Sequence, residues 1–268
     1  MISVESELIA HGVRPRKKLG QHFLIDRNVM EKLVEAADLE PSDTVLEIGA
    51  GTGSLTSMIE KQAGRVVAIE KDPALTNLLR RKFAKSKNVQ IIEGDILKTQ
   101  LPKFDKVVSS PPYSISSKLV LLLLKKSFER LVLVLQKEFA ERLVAQSGSR
   151  NYGRLSVMVS HKAYVSLIDI VPRHAFYPTP KVDSAIVKLR PKESRIRVLD
   201  EQLFCDFVRE LFTQRRRRLQ KVILRLLRRY GDKSSMLLRR LSIPEKRVYQ
   251  TNVEEFEILA NELYAALR

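Results

Sequence analysis

The sequence holds a single cysteine, Cys205, so no disulfide can close within the chain, and a reducing, cytoplasmic setting is the expectation. Long apolar runs are also missing. The longest, residues 119–124, falls far short of the ~20 residues that a helical membrane span requires. The opening Met1-Ile2-Ser3-Val4-Glu5-Ser6-Glu7 lacks the basic start and apolar stretch of a secretory signal, and no membrane partner is expected. Negative charge is scarce: 31 acidic side chains stand against 48 Lys and Arg, a net charge of +17, with a pI near 10.0. Such a field gathers polyanions, and nucleic acid is the natural partner. The deficit is sharpest in residues 214–229, which carry eight basic residues and no acidic one. Leu219, Val222, Ile223 and Leu226 there form an apolar helical stripe, leaving Arg215, Arg216, Arg217, Arg218 and Lys221 to other faces as candidate phosphate contacts. Arg14, Arg16, Lys17 and Lys18 make a second basic cluster. No metal-ligating set is assigned, and a monomer is expected.

What is present is the pattern of an α/β protein. The 268 residues, 44% of them hydrophobic, allow a large domain with a small one. Short apolar strands are predicted at residues 44–48, 65–69, 89–92, 106–108 and 131–135. Between the first two lies a helix over residues 54–62, and Asp72-Pro73 opens another with an acidic cap and a proline in its first turn. This alternation argues for a parallel sheet covered on both faces. Two more strands are expected at residues 155–160 and 185–189, separated by a proline-rich connection over 171–180. From there on the pattern is helical, with Thr251 and Glu254 as a capping box and Phe256, Leu259, Leu263 and Leu267 on one face. A boundary near residue 195 would divide a domain of residues 1–195 from a helical one of 196–268.

The segment Glu47-Ile48-Gly49-Ala50-Gly51-Thr52-Gly53 follows the first strand, and its glycines permit a tight turn and close ligand approach. The spacing is G-x-G-x-G; a dinucleotide fingerprint would need glycine where Ser54 stands. Glu70, about 20 residues further on, can accept from both hydroxyls of a ribose. Asp95 follows the third strand and can accept from an adenine amino group. Ribose and adenine acceptors without a pyrophosphate motif suit an adenosyl cofactor better than NAD.

The fourth strand runs into Ser109-Ser110-Pro111-Pro112-Tyr113. Two prolines stiffen an extended turn, and the ring that follows can stack on a base. The turn resembles the D/N-P-P-Y/F turn of methyltransferases acting on amino groups conjugated to rings. Adenine N6 is a poor nucleophile because its lone pair is delocalised. Acceptors on its N–H bonds favour a pyramidal nitrogen, and in-line placement of the methyl group supplies much of the rate. The base must be unpaired or flipped out to reach such a turn.

Taken together, these residues resemble the ribosomal RNA adenine N6-dimethyltransferase family, of the small-subunit methyltransferase A type. The resemblance covers nearly the whole chain: Gly20-Gln21-His22-Phe23-Leu24-Ile25-Asp26, the glycine loop, Glu70, Gly94-Asp95-Ile96-Leu97, Pro111-Pro112-Tyr113, residues 136–143 and 152–156, Phe176-Tyr177-Pro178-Thr179-Pro180-Lys181-Val182-Asp183-Ser184, and Gln214-Arg215-Arg216-Arg217. It implies a Rossmann-like sheet that binds S-adenosylmethionine (SAM), with a small C-terminal all-helical domain. The activity implied is dimethylation of two adjacent adenosines near the 3′ end of small-subunit ribosomal RNA, free or in a pre-ribosomal small subunit. By that resemblance His22, Leu24, Gly49, Gly51, Glu70, Asp95 and Ser110 would hold the cofactor. Ser110, Pro111, Tyr113 and Phe176 would serve the reaction, with Tyr113 stacking on the target base and Phe176 lining the pocket opposite. One position departs from the family: Ser110 stands where asparagine is usual. The alternative reading is therefore a catalytically weak or inactive RNA-binding assembly or transcription factor on the same fold.

Overall fold

The computed structural model describes residues 6, 8, 12–193, 196–228, 231 and 234–268. Most of the opening heptapeptide, the cut at residue 195, and Arg229 of the basic run lie outside the described residues. The chain divides into two compact units. One comprises the residues up to Ala140 together with Val165–Pro191, the other Glu141–Tyr164 with Lys192–Arg268. A single cut near 195 therefore misses that residues 141–164 go with the C-terminal unit.

In the first unit the elements follow in order β1 (Phe23–Leu24), α1 (Arg27–Ala37), β2 (Thr44–Ile48), α2 (Thr56–Ile59), β3 (Arg65–Glu70), α3 (Pro73–Lys82), β4 (Val89–Glu93), β5 (Lys106–Ser109), α4 (Ser116–Leu123), β6 (Arg130–Gln136) and α5 (Lys137–Leu143), whose last residues belong to the second unit. After an excursion into the second unit come β7 (Ala163–Val171), β8 (Phe176–Tyr177) and β9 (Ser184–Pro191). Seven strands form one sheet in the order β4-β3-β2-β5-β6-β9-β7. The first five of these pair in parallel, and β9 runs antiparallel to β6. The central strands are buried on both faces, as expected for a helix-covered parallel sheet. Val29, Met30, Leu33 and Val34 of α1 pack on Val45, Val66, Val108 and Val132 of the sheet. At the sheet's N-terminal end Lys106 Nζ lies 2.8 Å from Asp43 Oδ2, both side chains buried.

Local signals set the helix starts. The Asp72 side chain caps α3 by accepting from Ala74 N, Pro73 occupies the first turn, and Arg80, Arg81 and Lys82 complement the C-terminal end of the helix dipole. A second, two-stranded sheet pairs Phe23 with Tyr177 and Leu24 with Phe176, and the sequence pattern does not announce it.

The second unit holds α6 (Arg154–Lys162), α7 (Glu201–Phe212), α8 (Leu219–Leu227), α9 (Ser234–Arg239) and α10 (Val253–Leu267). The strand expected at residues 155–160 is in fact α6. It buries Leu155, Ser156, Val157, Met158, Val159 and His161, so both spacings look apolar. The strand β7 was not anticipated. Leu219, Val222, Ile223 and Leu227 make the buried stripe of α8, with Leu227 rather than Leu226 fully covered. The capping box of α10 sits one residue later than expected: Asn252 Oδ1 accepts from Glu255 N, and Glu255 Oε2 accepts from Asn252 N.

Candidate active site

At the carboxyl end of the parallel strands the chain turns sharply after β2. Gly49 and Gly51 have φ of 73° and 59°, in the left-handed region that glycine enters without strain. A Cβ on Gly51 would lie 2.9 Å from the Phe23 ring, and one on Gly49 would lie 3.3 Å from Pro112 Cδ, so this floor is closed to larger residues. Gly51 N donates to Glu70 Oε2 at 2.9 Å, while Lys71 N and Asp72 N donate to Oε1 at 2.8 and 2.9 Å. Burial pushes the Glu70 carboxyl up, against the pull of these backbone donors. Asp95, beyond β4, accepts from Leu97 N at 3.0 Å and pairs with Lys71 Nζ at 3.0 Å; the Lys71 hydrogen bond leads in holding its carboxyl below the usual range.

The fourth margin comes from β5. Ser109, fully buried, donates its hydroxyl to the Ile48 carbonyl at 2.7 Å and so locks the strand end from which Ser110 to Tyr113 project. The His22 ring stacks on Tyr113 with centroids 5.8 Å apart and planes 23° apart, and His22 Nδ1 lies 2.6 Å from the Pro178 carbonyl oxygen. Phe176 meets Tyr113 edge-on at 6.3 Å.

These elements enclose a cavity of about 130 Å³ that His22, Gly49, Gly51, Glu70, Asp95, Ser110, Pro111 and Tyr113 line together. A smaller hollow of about 40 Å³, which takes in Leu24 and Glu47, shares His22, Gly49, Gly51 and Ser110 with it. Phe176, 2% exposed, belongs to the hydrophobic core and meets the Tyr113 ring, and it is not among the residues that line this cavity. Sequence reading passed over Glu47. Its Oε2 is buried without a partner, and burial pushes its carboxyl up to about 8. A carboxylate within an otherwise apolar strand, next to the glycine loop, was the available signal.

The basic residues separate into two kinds. Lys17 and Lys18 are exposed on a single 3-10 turn, and Arg14 is exposed. Arg16 instead pairs with buried Asp72 at 3.3 Å, beside the Gln21 amide that donates to the same oxygen. In the second unit Arg216, Arg217, Arg218 and Lys221 are exposed. Arg215 is half-buried, donates to the Arg150 carbonyl at 3.1 Å and lies over the Tyr249 ring.

The lining fits SAM. Two carboxylates at adjacent strand ends can accept from hydroxyl and amino donors, the glycine floor admits close approach, and an orphaned buried oxygen of Glu47 borders the adjoining hollow. Sheet and site define a Rossmann-like methyltransferase that takes its methyl group from SAM. The model of the family described as ribosomal RNA adenine dimethylase matches residues 12–262. A probable ribosomal RNA small subunit methyltransferase A of Thermococcus onnurineus is 46% identical over 252 residues, 91% of each chain; one of Thermococcus sibiricus is 43% identical over 97% of each. Among solved structures, a dimethyladenosine transferase from Plasmodium falciparum superposes with a TM-score of 0.81 at 32% identity, covering 91% of this chain and 98% of that one. The 23S rRNA methyltransferase ErmE gives 0.69 at 29%, covering 90% and 99%. The chain belongs to the ribosomal RNA adenine dimethylase family and is an rRNA adenine dimethyltransferase.

Proposed function

We propose that this enzyme dimethylates N6 of two adjacent adenosines near the 3′ end of small-subunit ribosomal RNA, as a cytoplasmic step in ribosome assembly. The observation that carries the proposal is the convergence of Glu70, Asp95 and the Ser110-to-Tyr113 turn on one cavity. The small-subunit target is favoured because relatives named for it are 43–46% identical, against 29% for ErmE.

SAM supplies an electrophilic methyl group. Glu70 accepts from the ribose hydroxyls and Asp95 from the adenine amino group. Gly49 and Gly51 give close backbone approach, and His22 and Leu24 cover the methionine part. Ser110 Oγ and the Pro111 carbonyl accept from the target N6, freeing its lone pair, while Tyr113 stacks on the base. The displaced N6 proton leaves to solvent after transfer, so no side chain need act as a base. The first unit carries this chemistry; in the second, Arg216, Arg217, Arg218 and Lys221 meet phosphates, as do Arg14, Lys17 and Lys18 of the first. Arg16 and Arg215 hold their own segments in place.

The second reading, an RNA-binding factor without catalysis, rests on Ser110. Transfer of labelled methyl from SAM to immature small subunits, with the modified base mapped, tests both. Two dimethylated adenosines near the 3′ end are expected; binding without transfer would support the factor.

A further inference from the structure

Ser184 lies outside the cofactor lining. It is fully buried at the start of β9, in register with Gln136 of β6. Its Oγ lies 2.6 Å from the Tyr113 hydroxyl. Next to it, Asp183 anchors the chain on both sides: its carbonyl accepts from Lys137 N at 3.0 Å and its Oδ1 from Arg173 N at 3.0 Å. The stretch 176–184 thus bears on the reaction turn at two points, Phe176 on the Tyr113 ring edge and Ser184 on the Tyr113 hydroxyl, and indirectly at a third, the Pro178 carbonyl on the His22 ring that stacks on Tyr113.

From this geometry we infer that Ser184 is a positioning residue for the target base, holding the Tyr113 side chain against swinging about χ1 through the hydroxyl–hydroxyl bond. This rests on the function proposed above. Tyr113 follows two prolines, which set its backbone but leave its ring free to turn about χ1 and χ2. Stacking alone tolerates sliding. A base seated on a ring that swings carries its amino group off the line of the methyl group, and small misplacements of a reacting atom are costly. The hydroxyl bond stops that swing about χ1 at the ring's far end, where leverage is greatest, while the stacked His22 ring and the Phe176 edge limit rotation about χ2. A core serine would fill the same space without facing the tyrosine, and a stacking ring needs no hydroxyl; their contact at the reaction turn is what points to positioning.

The test compares the unaltered chain, Ser184→Ala, Tyr113→Phe, the double variant and Ser184→Thr, with immature small subunits and labelled SAM. Each single loss of the bond lowers kcat about tenfold, the scale of one net hydrogen bond, with KM for the subunits and the dissociation constant for SAM within twofold of the unaltered chain. The double variant is no slower than either single one, because both remove the same bond. Ser184→Thr, which keeps the hydroxyl, recovers most of the rate. Unaltered kcat in Ser184→Ala overturns the inference. So do additive losses in the double variant, or a loss of SAM affinity that parallels the loss of rate. Should Ser184→Ala fail to fold, Tyr113→Phe and Ser184→Thr decide: full rate in Tyr113→Phe, or no rate in a folded Ser184→Thr, overturns it. An unaltered chain that transfers no methyl group refutes the proposed function, and the inference falls with it.

Discussion

Lys71 Nζ lies 3.0 Å from Asp95 Oδ2 on the rim of the cofactor cavity, the lysine side chain 57% exposed and the aspartate 22%. On the proposed reading, in which Asp95 accepts from the adenine amino group, the Lys71 ammonium competes for the same carboxylate. An exposed pair of this kind contributes about 0–1 kcal/mol. Lys71→Met is expected to tighten SAM two- to fivefold (roughly the same range in free energy), whereas Asp95→Ala loosens it. Titration calorimetry reads both; weaker binding by Lys71→Met would show that the lysine assists the cofactor rather than competing with it.

Burial raises the Glu47 carboxyl from 4.5 to about 8. Between those values the folded chain keeps a proton that the unfolded chain releases, so this group's contribution to stability is complete below 4.5 and declines as pH rises towards 8. Glu47→Gln should flatten that decline, and its Tm relative to the unaltered chain should rise with pH across the window. Calorimetric scans from pH 5 to 8.5 measure the difference; parallel curves would mean that Glu47 is ionised in the fold.

Ser110 lines both hollows, but its side chain is shorter than the asparagine that the family resemblance leads one to expect. A missing transition-state acceptor costs about 2.7–4 kcal/mol in comparable sites. Ser110→Asn is expected to raise the single-turnover methylation rate at least tenfold, and up to the roughly 100- to 1,000-fold that this range corresponds to. An unchanged or reduced rate would show that serine, or a water it holds, already does the accepting.

Arg215 and Arg217 are close in sequence but differ in surroundings. Arg217 is exposed, while Arg215 is tied to the Arg150 carbonyl and stacked over Tyr249. Arg217→Ala should reduce the slope of log affinity for RNA against log salt by about one. Arg215→Ala should instead lower the melting temperature. Equal changes in salt slope would contradict the division.

The strands of the parallel sheet were legible because each is a short apolar run, β2, β3 and β4 closed by glycine or an acidic residue, and Asp72-Pro73 marked α3 for the same kind of reason. The misread element, α6, is buried nearly all round, so Leu155, Val157 and Val159 alternate like a strand although the chain coils. Strand β7 escaped for the opposite reason: at the sheet edge it leaves Tyr164, Leu167, Ile168 and Ile170 exposed, and no inside–outside alternation survives. Within the site, Glu70, Asp95 and Tyr113 could be picked out because strand ends converge in this topology. Ser184 could not, since only the antiparallel return of β9 brings it under Tyr113.

The ribbon of β1 and β8 ties two distant parts of the chain together. It joins the stretch carrying His22 to the stretch carrying Phe176 and Pro178 through main-chain bonds, which side-chain substitutions leave intact. A displacement of either strand is thereby passed to the other, so the two margins cannot be treated as independent.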